Sequence, residues 1–259
     1  MSKDYMHYVK KDHISEILFN SDSLGSIISS SFCNVLSGIV DEINEDPHTT
    51  ACFIGNNPMF SNGPLAETIP PNILDNRNQL NSWINTRQIT SIINRIEVPV
   101  IIALAGDISN QTLELFMAAD IRVATIDSTF QLDISGAHIP WDAGIPNLLK
   151  LVGHSVANDM LYTKKVLTAK QGLEVHLLTR AFSGPEFETG ISLLLTEIAK
   201  GAPLSHRYIK ESLTRGAGMS LTEGLRLECD LNILLQTTDD RIEGLASFFE
   251  KRLPEFYGK

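Results

Sequence analysis

The chain is short of the features that mark most specialised proteins. Its three cysteines, Cys33, Cys52 and Cys229, are odd in number and far apart. That excludes a disulfide framework or a zinc site and suggests small buried residues in a reducing compartment. No apolar stretch approaches the roughly 18 residues of a membrane span. The opening MSKDYMHYVKKDH lacks the apolar segment of a secretion signal. The expectation is a soluble cytoplasmic protein. Cations are outnumbered, with 21 Lys and Arg against 31 Asp and Glu, for a net charge of −10. An acidic surface of this kind argues against nucleic acid or an anionic membrane as a partner. There is no Gly-x-Gly-x-x-Gly and no P-loop. The seven histidines show no i,i+3 or i,i+4 pairing, so no metal site is expected. Gly153-His154-Ser155 begins like a nucleophile elbow, but residue 157 is Ala and no strand is predicted before it.

What is present is apolar patterning, which covers 43% of 259 residues. That is ample for one large domain, or for one domain with an appendage. HISEILFN (13–20), TACFIG (50–55), VPVIIALAG (98–106) and DIRVAT (120–125) are predicted strands. VPVIIALAG is apolar almost throughout, so both of its faces should be buried. Leu36, Ile39, Val40 and Ile43 mark one face of a helix, and a second helix is predicted over about 73–95. The Asn-, Pro- and Gly-rich stretch 56–72 is predicted to be a long loop. Strand alternating with helix implies an α/β core with mostly parallel pairing. Beyond about residue 185 the chain should be helical. Stripes run through Ile191, Leu194, Leu195 and Ile198, through Leu227, Leu231 and Leu234, and through Ile242, Leu245, Ala246 and Phe249. These helices carry enough apolar surface to dock on the core or on another subunit.

Several segments in order carry a family resemblance: IEVPVIIALAG, ELFMAADIRVAT, STFQLD, HIPWDAG, LVGHSVANDMLYTKKVLTAKQGLEVHLLTRAF, IAKGAPLSHRYIKESL and the tail TTDDRIEGLASFFEKRLPEFYGK. Together they resemble the enoyl-CoA hydratase/isomerase (crotonase) superfamily, strongly from about residue 94 onward and more thinly over the first 50. The resemblance implies a ββα spiral core over 1–185 and a helical oligomerisation region over 186–259. It also implies trimers or hexamers, no tightly bound cofactor, and coenzyme A only as part of an acyl-CoA substrate. The shared chemistry would be an enolate oxyanion held by two backbone N–H groups.

Carried over residue by residue, the first oxyanion donor falls in FSNGPLAE (60–67) on Pro64, which has no N–H. A match shifted by one residue gives Gly63 instead. The second donor is the amide of Gln111, in an Asn110-Gln111-Thr112 turn where the family is Gly-rich. Glu114 matches the first acid/base glutamate, although a carboxylate in a helix's first turn also simply complements the macrodipole. Asp133 matches the second, with a turn role as the plain alternative. Asp142 follows in PWDAG, where a second carboxylate in the pocket would raise one pKa toward neutrality. Its plain role is to cap the helix beginning near Pro146. His138 in the same stretch is a further candidate catalytic residue, with a hydrogen-bonded structural role as the plain alternative, and Trp141 would fill a wall where the family has glycine. Lys251 and Arg252 correspond to tail residues that reach a CoA phosphate in relatives.

Three readings follow. The first is a hydratase/isomerase-like enzyme acting on an acyl thioester through an enolate-type intermediate. The second is a C–C hydrolase of a β-diketone, independent of CoA. Crotonase-fold diketone hydrolases also lack the Gly-rich turn and carry an aspartate in the matching IP-x-D position, but place a histidine where this chain has Asp133. The third is a non-catalytic crotonase-fold scaffold.

Overall fold

In a computed structural model the described residues are 5–20, 27–57, 59, 65–133 and 141–259. Apolar residues of period two and period 3.6 alternate along them and build the architecture. β1 (Met6–Lys11) pairs antiparallel with β2 (Ile14–Asn20). β3 (Ile27–Ile28) leads to α1 (Ser30–Glu45), capped by the Ser29 side chain. β4 (Ala51–Asn57) and β5 (Leu65–Ala66) lead to α2 (Arg77–Asn85) and α3 (Ile89–Ile93). β6 (Val100–Leu104) and β7 (Asp107–Ser109) lead to α4 (Asn110–Met117). β8 (Ile121–Thr125) and β9 (Thr129–Gln131) precede α5 (Gly144–Thr163). Then come β10 (Leu167–Thr168), α6 (Ala169–Glu174) and β11 (Arg180–Phe182). The remainder is helical: α7 (Phe187–Ala199), α8 (Pro203–Gly216), α9 (Leu221–Gln236) and α10 (Asp239–Glu250).

The large sheet has the order β1-β2-β4-β6-β8-β11, parallel from β2 onward. β10-β9-β7 and β3-β5 form smaller sheets. Each turn from β2, β4, β6 and β8 sends one strand to the large sheet and the next to a small one before its helices follow. That is the expected ββα spiral. Both faces of the large sheet are covered, which explains the near-continuous apolar runs. On β6, Val100, Ile102 and Leu104 join the core under α1 and α4, while Ile101 and Ala103 pack with Phe187, Ile191, Leu194 and Leu195 of α7.

Two expectations need correction. The helix predicted over 73–95 is broken at 86–88. No proline or glycine causes the break. The Trp83 carbonyl accepts from Thr86 Oγ1 and from Arg87 Nη1, each at 3.0 Å, so it is occupied by side chains at the turn where the helix would continue. Cys229 is exposed on α9, whereas Cys33 and Cys52 are buried. As expected from the sequence, Gly153-His154-Ser155 forms no strand-to-helix elbow: Gly153 sits at a kink inside α5, with φ 73° and ψ 169°. The apolar stripe of α10 lies open on the single chain, with Phe249 78% exposed. No described helix is long and apolar enough to cross a membrane.

The end of α4 is fastened by Arg122, a buried cation on β8. Its Nη1 donates to the Ala119 carbonyl and its Nε to the Leu177 carbonyl, both at 2.7 Å. An Arg122→Leu substitution leaves both carbonyls without a donor. It should lower unfolding stability by about 2–4 kcal/mol, measured by denaturant titration.

Candidate active site

α4 carries the first of two buried carboxylates. Ser109 at its N-terminus makes no side-chain cap. Asn110 adopts a left-handed conformation, φ 51°, that asparagine tolerates better than most residues. Its side chain accepts the Asp133 amide at 3.0 Å. Gln111 is buried, and its Nε2 donates to the Arg87 carbonyl at 2.9 Å. The glutamine side chain is thus swung toward the break between α2 and α3. Its backbone N–H sits in the first turn of α4, where an amide has no intrahelical acceptor.

Glu114 lies beyond that first turn and is only 3% exposed. A role as solvated partner of the helix dipole is therefore corrected: this carboxyl faces the interior. Burial, reinforced by the charge of Asp142, pushes its pKa up to about 8, although the Asp142 backbone N–H donates to it.

Asp142 is 1% exposed. It does not cap α5, whose preceding residue, Ala143, takes a left-handed conformation without a side-chain cap. Its Oδ2 instead accepts the Thr90 amide at 2.8 Å, and the Ser91 amide also lies against it. Those amides belong to the first turn of α3, so Asp142 caps a helix some 50 residues earlier in the chain. Burial outweighs these hydrogen bonds and raises its pKa as well.

The surrounding residues come from four elements. Cys33 of α1 lies close enough to feel Asp142 and Arg87, and its thiol is pushed up to about 12, chiefly by burial. Such a thiol is not a nucleophile at neutral pH. The Arg87 guanidinium sits 4.3 Å above the Trp83 ring and pairs with Glu67 at 2.5 Å. Trp141 packs edge-on against Trp83, with centroids 5.6 Å apart, and its carbonyl accepts from Gln88. Thr90, Arg87, Trp83 and Glu67 escaped sequence reading. All lie within or before what reads as one amphipathic helix, and nothing in its periodicity announces the break.

The predicted residues are therefore divided. Glu114, Asp142 and Gln111 come together, with Trp141 beside them. Asp133 is exposed, with Lys164 Nζ 3.5 Å from its carboxylate. Arg252 is held by Glu243, at 2.5 and 2.7 Å, and by Glu250, at 2.6 Å. Glu243 is depressed to about 2 by this pairing. Lys251 ends α10 in a left-handed conformation and is exposed. Gly63, Pro64 and His138 lie outside the described residues.

Two adjacent buried carboxyls, both with raised pKa, thus sit on a ββα spiral of the crotonase type. The chain belongs to the enoyl-CoA hydratase/isomerase family, whose model matches residues 12–259. It is 26% identical to methylmalonyl-CoA decarboxylase of Escherichia coli (strain K12) over the whole of both chains. It is 30% identical to 2,3-dehydroadipyl-CoA hydratase of the same organism, over 62% of this chain and 64% of the hydratase. In fold it matches the crystal structure of enoyl-CoA hydratase from Bacillus anthracis, with a TM-score of 0.89 and 24% identity, covering 98% of this chain and 100% of that one.

A carboxyl whose pKa is higher in the folded than in the unfolded state holds its proton only when folded. Between its ordinary value, 4.5, and about 8 the folded protein binds more protons, so stability falls as pH rises through that window. Wild type should lose melting temperature as pH rises from 4.5 to about 8. Glu114→Gln should lose less and be the more stable protein at the alkaline end, as read by thermal melts at matched ionic strength.

Proposed function

We propose that this protein is an enzyme that acts on an acyl thioester through an enolate-type intermediate, in the manner of a hydratase or isomerase. The supporting observation is the buried Glu114–Asp142 pair. Two like-charged carboxyls this close hold one proton between them over a wide pH range. At neutral pH the proton resides on Glu114, which is therefore a general acid, and Asp142 is the complementary base. The Gln111 amide, at the positive end of α4, is the donor for the developing oxyanion, and Gly63 is the proposed second. Asp133, engaged by Lys164 at the surface, keeps a role in shaping the turn around Asn110, and His138 is kept as a further candidate acid/base.

Coenzyme A would enter as part of the substrate. Lys251 is the better placed of the two tail cations for a phosphate, because Arg252 already serves two carboxylates. The open apolar faces of α8 to α10 support assembly into a homotrimer or hexamer.

Asp142 also favours a second reading. It stands in the IP-x-D position of the diketone hydrolases, and its Oδ1 has no hydrogen-bond partner among the described residues. Ligand binding separates the two. On the thioester reading, crotonyl-CoA at millimolar concentration raises the melting temperature, because it binds only the folded state. The protein then hydrates it, and Glu114→Gln and Asp142→Asn each lower kcat by about 10²–10⁴-fold. The rate should decline above pH 8 as Glu114 loses its proton. No thermal shift, together with turnover of a cyclic β-diketone, would place the protein among the hydrolases. Background rates on both, unchanged in Glu114→Gln, would leave the scaffold.

A further inference from the structure

Buried polar atoms without partners are few in folded proteins, and each leaves about 1–3 kcal/mol of desolvation uncompensated. Among the described residues there are five, and four belong to the site: Thr90 Oγ1, Gln111 Oε1, Trp141 Nε1 and Asp142 Oδ1. The Thr90 and Gln111 side chains both lie against the Asp142 carboxylate, and Thr90 Oγ1, Gln111 Oε1 and Asp142 Oδ1 are left without a partner. Thr90 is fully buried, and Gln111 and Asp142 are 4% and 1% exposed.

Their orientations are fixed from behind. The Thr90 amide holds Asp142 Oδ2 at 2.8 Å, which leaves Oδ1 unpartnered. The Arg87 carbonyl takes Gln111 Nε2 at 2.9 Å, which forbids the flipped amide and leaves Oε1 unpartnered. The three remaining functions are two acceptors, Oδ1 and Oε1, and one hydroxyl able to donate. They match an atom with two hydrogens to give and a lone pair to receive one.

We propose that Thr90 and Gln111 are positioning residues that, with Asp142, hold one water molecule, and that this is the water the enzyme adds to or removes from its substrate. The second half rests on the acyl-thioester reading; the first does not. The water donates to Gln111 Oε1 and Asp142 Oδ1 and accepts from Thr90 Oγ1, which leaves its second lone pair for an electrophile. On addition to an α,β-unsaturated thioester, that lone pair forms the C–O bond at the β-carbon. The C=C π pair moves into the enolate. The water's proton passes to Asp142 Oδ1, and the enolate takes the Glu114 proton at its α-carbon. The sum is addition of one H₂O, and transfer of the new proton from Asp142 to Glu114 restores the starting state.

The test uses the full-length protein, with Thr90→Val, Thr90→Ser and Gln111→Met variants. Valine keeps the backbone N–H that holds Asp142 and removes only the hydroxyl. A crystal structure of wild type should show one water within hydrogen-bond distance of Thr90 Oγ1, Gln111 Oε1 and Asp142 Oδ1, and Thr90→Val should lack it. Hydration of crotonyl-CoA should fall about tenfold or more in kcat in Thr90→Val and Gln111→Met, with KM nearly unchanged, and Thr90→Ser should restore it. In Thr90→Val, exchange of the α-protons of butyryl-CoA in D₂O, which consumes no water at the β-carbon, should hold within about threefold of wild type. A wild-type structure with no water on these three atoms overturns the proposal whatever the activity. So does an equal loss of hydration and exchange in Thr90→Val. If the water is present but wild type neither hydrates nor exchanges, the water site stands and the acyl-thioester reading fails.

Discussion

The site depends on a single residue facing two ways. Asp142 lends its carboxylate to the N-terminal amides of α3 and its own amide to Glu114. The first bond fixes the helix that follows the break after α2; the second fixes the acid on α4. Elements from three turns of the spiral are thereby clamped around one buried point. The carboxylate is there against its own solvation, and so is Glu114. Helix amides compensate part of that penalty for Asp142, and the rest appears as raised pKa values. A site built this way trades stability for a proton held where water cannot screen it.

This arrangement keeps a family frame and changes what fills it. The strand-turn-helix of β6, β7 and α4 delivers Glu114 as the resemblance implies. The second carboxylate is brought in by the start of α5 rather than by the end of β9, where Asp133 faces solvent and Lys164. The glycine-rich turn is replaced by Asn110 in a left-handed conformation and by Gln111, whose side chain is anchored to Arg87. The glutamine that fills the turn also touches the aspartate that supplies the second carboxyl.

Much of the fold could be read from residues. VPVIIALAG is a strand buried on both faces because helices lie on each side of it, and continuous apolarity is the mark of that position. The period of Leu36, Ile39, Val40 and Ile43 returned α1 with those four side chains in the core. Less of the site was legible. Glu114 and Asp142 each had an ordinary explanation as a helix-end acid. For Asp142 that explanation has the right chemistry and the wrong helix, since spacing along the chain cannot reveal a cap delivered from some 50 residues away. Thr90 and Arg87 were hidden because the break at 86–88 arises from side chains competing for the Trp83 carbonyl, not from proline or glycine.

The central claim is that the Glu114–Asp142 pair carries one proton at neutral pH, and that Glu114 holds it. Infrared difference spectroscopy between wild type and Glu114→Gln reads this directly through the C=O stretch of a protonated carboxyl. That band should be present in wild type at pH 7, absent in Glu114→Gln, and should fade as pH is raised through about 8. A wild-type spectrum at pH 7 with only ionised carboxylate at this position would contradict it.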